Sequence, residues 1–455
     1  MSRNRIQPLA VIRWGDADES RRQRLLGRGI EKIFDPALQA SIREIVEDVR
    51  NNGDAAVVRA LQRFDGCEVA PGQLRVSDDE FERARDGLAT EVLEAAREAI
   101  ANIRAFNEYA TREREWRIEI RPGLVVGERL TPIASAGLFI PSGKGSFPSV
   151  LTQLGTPAVV AGVPEIAVVV PPVPGGAGEV DPAVLCIARE LGITNVFRAN
   201  GPAGVAALAF GTESIPRVRK IVGPGSPPVQ AAQIQCQQFG CHTQMLCGPS
   251  ESLILADDSA DVVLLAADLL NEAEHGADSS SVLVTSSKEL LEAVQEELAG
   301  QLEALPEPRR SYAAVALGTN GGCVLTEDLD ESIEVSDAYA AEHMQLVVRA
   351  EIEDGTVARL QHVGELLVGQ STPISAANYV LGVPAALPTG AFAKVTSGIT
   401  AETFLKRTSI AKAEPQALRE MAPAILALAE HEGFPAHAAA VRARLDNDNR
   451  RGDQS

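Results

Sequence analysis

No apolar run in this 455-residue chain approaches the roughly 18 or more residues that a membrane-spanning helix needs. No membrane helix is expected. Positive charge is also in deficit, with 42 Lys and Arg against 62 Asp and Glu, for a net charge of -20. Such a field repels phosphate backbones and anionic lipid surfaces, which argues against nucleic acid and membranes as partners. Cysteine is sparse, at six residues, and the opening MSRNRIQPLAVIRWGDADES has neither the apolar core nor the cleavage site of a secretory signal. Reduced thiols in a cytoplasmic protein are therefore expected, not a disulfide framework. Cys236, Cys241, His242 and Cys247 lack the close C-x₂-C pairs of structural zinc sites and read as apolar packing near a strand. Missing too is any GxGxxG fingerprint.

What is present is ordinary globular composition, 45% hydrophobic and 23% charged, in a chain too long for one core of about 250–300 residues. Two or more domains are expected. Leu38, Ile42, Ile45, Val46 and Val49 recur at helical spacing within 36–65, where Gly53-Asp54 reads as a stop followed by a new N-cap. From about 133 to 303 short apolar runs (AGLFI, IAVVV, NVFRAN, KIVG, SLILA, SSVLV) alternate with helical ones (PAVLCIAREL, AGVAALAFG, DVVLLAADLLNEAEH, KELLEAVQEEL). That alternation predicts an α/β fold with parallel sheets covered on both faces, and two such units suit the length better than one. The loops PSGKGSFPS, NGPAG and GPGSPP follow these strands, where open α/β sheets take their ligands, although the loops serve equally as plain turns. The segment PQALREMAPAILALAEHEG predicts a helix, and the polar tail RLDNDNRRGDQS predicts no fixed structure.

Histidine is scarce, so the company of each of the six is informative. Glu272 and His275 are three apart near the end of an amphipathic helix and project from one face, as two metal ligands would. The same His also suits the negative end of the helix dipole. Glu342 and His343 pair a carboxylate with an imidazole just before the apolar run Met344–Val348, where a loop-to-strand junction lets both reach one cleft as acid and base. An ordinary surface pair has the same pattern. His437, after a Pro-containing turn, suits either function or helix entry. His242, His362 and His431 read as structural or solvated.

Taken together, GLFIPSGKGSFPS, TPAVVAGVPEI, VAALAFGTESIP, KIVGPG, CGPSESLILAD, DLLNEAEHGADS, YAAEHMQL, LPTGAFAKVTSGI and EGFPAH resemble the histidinol dehydrogenase family from about residue 36 to 442. The resemblance implies two incomplete Rossmann-like parallel-sheet domains with smaller helical terminal segments. The expected division is an N-terminal helical segment with the start of the first α/β domain over 1–130, a first Rossmann-like domain over 131–245, a second over 246–390, and a dimerising segment with a polar tail over 391–455. It further implies a homodimer with shared active sites, one zinc ion, NAD, and oxidation of a small amino alcohol through an aldehyde to an acid.

Residue by residue, the family's acid/base pair falls on Glu342 and His343. Its zinc ligands, usually glutamine, histidine, aspartate and histidine, fall on Glu272, His275, Asn378 and His437. The exchange of amide and carboxylate between 272 and 378 preserves the formal charge of the set. Substrate-facing positions are kept at Ser250 and Glu432, but a substrate-contacting histidine falls on Ala385, which argues against L-histidinol. The NAD-facing tyrosine, glutamine and asparagine fall on Phe139, Ala203 and Ser226, and Pro227-Pro228 removes backbone donors beside the last. The leading expectation is a zinc- and NAD-dependent dehydrogenase of a small polar alcohol other than L-histidinol. A metal-dependent hydrolase or lyase without the dinucleotide, or a non-catalytic paralogue, is the alternative.

Overall fold

The computed structural model describes residues 8–141, 146–176, 178–244 and 248–452. Two compact units emerge: one comprises the chain up to Tyr109 together with Ile133–Phe404, the other Ala110–Pro132 with the chain from Leu405 onward.

The first unit holds two parallel sheets. One has five strands in the order β6-β5-β4-β7-β8, from β4 (Ala136–Phe139), β5 (Ile166–Val170), β6 (Val196–Arg198), β7 (Lys220–Val222) and β8 (His242–Thr243). The other has six in the order β1-β11-β10-β9-β12-β13, from β1 (Val11–Arg13), β9 (Glu251–Ala256), β10 (Ser280–Thr285), β11 (Gly322–Leu325), β12 (His343–Val347) and β13 (Glu365–Val368). The six apolar runs read from the sequence each become one of these strands, and the α/β class is observed. In both sheets the earliest central strand, β4 or β9, has its successors on either side, so each is doubly wound. Strands β9 and β10 are buried at every residue, which is why they read as continuous apolar runs and not as alternating ones. Strand β1 joins the outer edge of the second sheet in register with β11, an addition that three isolated residues do not announce in the sequence.

The helix Pro36–Ala60 covers the first sheet with Ile42, Val46, Val49 and Val57 in its core. Its expected interruption at Gly53 is a kink: φ there is 51°, and a Cβ would collide with the Glu213 carboxylate. Asp54 does not cap its own helix. Its Oδ1 instead accepts from the Thr212 hydroxyl at 2.5 Å and from Ser214 N at 3.2 Å, while Glu213 accepts from the Asp54 backbone N–H at 2.8 Å. Cys236 and Cys241 lie in the same core, and burial pushes their thiols up to about 12 and about 11, so both behave as apolar packing. Cys247 lies outside the described residues, as does the stretch 142–145 of the PSGKGSFPS loop.

The second unit is an antiparallel sheet in the order β14-β3-β2, from β2 (Glu115–Arg121), β3 (Leu124–Pro132) and β14 (Leu405–Ala413), with the helices Pro415–His431 and Pro435–Gly452. The last helix continues into the polar tail expected to lack structure, since no Pro or Gly interrupts it between Pro435 and Gly452.

Candidate functional site

The cluster of charged side chains in the second sheet forms where strands begin. Glu251, His343 and Glu365 are the first residues of β9, β12 and β13, and His343 stands opposite Ser252 on one side and Glu365 on the other. The helix Val262–Ala273, capped by Asp261 accepting from the N–H groups of Val263 and Leu264, carries the chain back from β9 toward the amino-terminal edge of the sheet. Its last turn brings Glu272 there, with His275 just beyond. The Glu342/His343 pair thus belongs to the amino-terminal edge of its sheet, opposite to the carboxyl edge at which α/β sheets usually take ligands.

His343 Nδ1 lies 2.5 Å from Glu365 Oε1, and its Nε2 lies 3.8 Å from Glu342 Oε1. Glu342 Oε2 accepts from the backbone N–H of Glu251 at 3.1 Å. The Glu251 carboxylate accepts from Gly390 N at 3.1 Å and faces Arg28, whose Nη1 is 2.9 Å away but off the line of a hydrogen bond. Arg28 itself lies over the Tyr339 ring, 4.1 Å from its centroid, and its backbone holds a φ of 48°. All of these side chains are buried.

Burial raises Glu342 well above the usual carboxylate range, with the charge of His343 opposing and those of Glu272 and Glu251 adding to it. Burial likewise pushes Glu251 up to about 7, against the pull of Arg28. For His343 burial opposes the charged ring, yet the hydrogen bond to Glu365 and the charges of Glu342, Glu365 and Glu272 together push it up to about 10. All three groups bind protons more tightly folded than unfolded. Their stabilisation is complete below the unfolded carboxyl range and is lost as pH rises through the folded values. The metal-free protein should therefore melt progressively lower between pH 5 and pH 10, and a melting temperature that climbs across that window would contradict this electrostatic picture.

Glu272 is buried, yet among the described residues neither of its oxygens has a hydrogen-bond partner, nor does Nδ1 of His275, which stands 3.4 Å from Glu272 Oε1. A buried carboxylate without a donor is costly, and the negative end of the helix dipole adds to the cost. These orphaned donors, one oxygen pair and one imidazole nitrogen, fit a divalent cation. Asn378 is half-buried on the short helix Ile374–Tyr379, which packs against the helix that carries Glu272. Among the described residues no group of three or more His, Cys, Asp and Glu side chains could hold a metal by itself. His437 and Glu432 belong to the second unit, both exposed, with the His437 ring 5.0 Å from that of Phe434.

Of the positions expected to face substrate, Ser250 is half-buried immediately before β9. Ala385 is half-buried too, and its backbone N–H donates to the buried Gln153 side chain at 3.2 Å. On the cofactor side Phe139 and Ala203 lie in the hydrophobic core, while Ser226 is the exposed N-cap of the helix Pro227–Gln237. A cavity of about 700 Å³ opens between the helix Pro36–Ala60 and the start of the helix Gly201–Phe210, lined by Ile42, Ile45, Asp65, Asn200, Ala203 and Pro228. That volume fits part of a dinucleotide.

Arg28, Glu251 and Glu365 were not among the residues singled out in the sequence. Arg28 gives no signal, because its partner is remote in the chain. Glu251 and Glu365 do: each is a lone carboxylate at the head of an otherwise apolar run, ESLILA or ELLV, where a solvated residue is out of place.

A sequence-family model described as histidinol dehydrogenase matches residues 31–445. A histidinol dehydrogenase homolog of Colwellia psychrerythraea is 40% identical over 95% of both chains. A histidinol dehydrogenase of Methanosarcina mazei is 37% identical over 94% of this chain and 96% of its own. The crystal structure of histidinol dehydrogenase from Elizabethkingia anophelis superposes with a TM-score of 0.91 at 31% identity, covering 97% of this chain and 99% of that one. Fold, motifs and near-complete coverage agree: this chain belongs to the histidinol dehydrogenase family.

Proposed function

We propose that the protein is a zinc- and NAD-dependent dehydrogenase of a small polar alcohol other than L-histidinol, acting in the cytoplasm as a homodimer. The observation that carries this reading is the orphaned pair Glu272 and His275 beside Glu342 and His343: unmet metal donors adjoin a buried acid/base pair. In this reading Glu272, His275, Asn378 and His437 would hold zinc, which would supply a Lewis acid at the alcohol end, and NAD would supply the hydride acceptor. His343 Nε2 accepts the proton of the substrate hydroxyl. Glu342 removes a proton from the water that attacks the aldehyde.

Ser250 and Glu432 would face the substrate. The dinucleotide would lie against the backbone around Phe139, Ala203 and Ser226 and reach toward the cavity at the start of the helix Gly201–Phe210, since the side chains at 139 and 203 are committed to the core. Trp116, Ile118 and Ile120 are exposed along the edge strand β2, an apolar stripe suited to burial against a second copy of the chain.

Protein purified without chelator should carry about one zinc per subunit by elemental analysis, and Glu272→Ala or His275→Ala should release it. Full zinc in both variants sinks the assignment. Substrate choice follows from Ala385, whose methyl group cannot pair with an imidazole. An unpaired buried polar group costs about 1–3 kcal/mol, and the loss of pocket shape adds to it. Steady-state kinetics should find L-histidinol at least ~100-fold less efficient than an aliphatic amino alcohol or diol. Efficient oxidation of L-histidinol would overturn this view of the pocket.

The hydrolase or lyase alternative needs only the metal and the Glu342/His343 pair. The cavity beside Ala203 favours the dehydrogenase over it.

A further inference from the structure

We propose that Glu365 is the positioning residue of His343, holding the imidazole with its proton on Nδ1 and its lone pair on Nε2; this rests on His343 serving as the base of the alcohol oxidation. Three observations carry it. The first is geometric: His343 and Glu365 are paired residues at the first rung of the parallel β12/β13 ladder, and Nδ1 lies 2.5 Å from Glu365 Oε1. An ionised carboxylate accepts only, so opposite the Glu365 carboxylate Nδ1 takes the role of donor.

The second is the backbone that makes the approach possible. Gly364 donates its N–H to Ala341 O at 2.9 Å, and Glu365 donates to Glu342 O at 3.0 Å. A Cβ on Gly364 would collide with the Glu342 carbonyl, so only glycine lets β13 come this close to the catalytic pair. The third is burial. Both side chains are shielded from water, and Oε2 of Glu365 has no hydrogen-bond partner, so the carboxylate's link to its surroundings runs through the imidazole.

The division of labour follows. With Nδ1 committed to Glu365, Nε2 is free, and at 3.8 Å from Glu342 it is not consumed by a hydrogen bond to that carboxylate. When Nε2 takes the hydroxyl proton of the alcohol, the O–H bond breaks and an N–H bond forms. The positive charge that appears on the ring then lies against a buried carboxylate. Low dielectric makes that interaction stronger than it would be in water.

The test uses the zinc-loaded full-length protein with ring-¹⁵N-labelled histidine, the His343 signals being assigned from their absence in His343→Asn. In the wild type the His343 ring should show a far-downfield proton on Nδ1. Glu365→Gln, nearly identical in shape, should lose that resonance, and its kcat should fall about 10²–10⁴-fold with little change in the KM for alcohol. Glu365→Asp keeps the charge at shorter reach and should lose less activity than Glu365→Gln. A merely structural contact would rank the two variants the other way, since glutamine preserves shape and aspartate does not. Unchanged His343 signals in Glu365→Gln, or turnover equal to wild type, overturn the proposal. Should the wild type oxidise no alcohol, the parent reading has failed separately, and the ring signals still decide whether Glu365 orients His343.

Discussion

Replacing Arg28 by methionine should destabilise the protein by about 3–5 kcal/mol, measured by urea unfolding. The guanidinium is buried over the Tyr339 ring and its Nη1 lies 2.9 Å from Glu251, itself buried. Methionine fills much of the space but leaves that carboxylate without its cation, so above about pH 7 Glu251 must stay buried as an uncompensated charge or take up a proton at a cost that grows with pH, more than the lost attraction itself. Pairing the change with Glu251→Gln should recover most of the loss, because the orphaned charge is then gone. A single replacement costing under about 1 kcal/mol would show that the pair is solvated. Activity should fall with stability, since the Glu251 backbone holds Glu342 at 3.1 Å.

The second large effect separates the two bases. In the proposed reaction His343 takes the hydroxyl proton, so His343→Asn should lower kcat by about 10³–10⁴-fold, within the range that general-base and oriented-imidazole variants show. In the same proposal Glu342 serves only the attacking water, which Glu342→Gln would leave without its base. It should leave the first oxidation within about tenfold of wild type but slow the second at least about 10²-fold, so that NADH yield falls from two equivalents per alcohol to one and aldehyde accumulates. Equal loss of both steps in Glu342→Gln would mean that the two residues act as one unit.

The elements that the sequence reveals and those it hides differ for a physical reason. Buried parallel strands announce themselves as apolar runs, and so AGLFI, IAVVV, SLILA and SSVLV could be located without coordinates. Glu342 and His343 stood out because a charged pair directly precedes such a run, and Glu272 with His275 because helical spacing places them on one face. What stayed hidden depends on register and on long-range pairing. Glu365 meets His343 only because β12 and β13 align at their first residues, and Arg28 meets Glu251 only through a fold that brings remote segments together. Phe139 and Ala203 illustrate the opposite case: motif position assigns them to a cofactor, whereas packing assigns their side chains to the core. The amino-terminal placement of the cluster was likewise invisible, because strand direction within a sheet is not written in any local pattern.

The central claim is that the zinc-loaded protein passes hydride from a small alcohol to NAD with His343 as the base. The most direct measurement is steady-state NADH formation by zinc-loaded protein across a panel of aliphatic amino alcohols, diols and L-histidinol, with His343→Asn as the blank. Robust NADH formation is expected from at least one aliphatic substrate, with at least ~100-fold weaker turnover of L-histidinol and a rate about 10³–10⁴-fold lower in His343→Asn. NADH formation in His343→Asn at a rate close to wild type, or an inactive wild type over the whole panel, would contradict it.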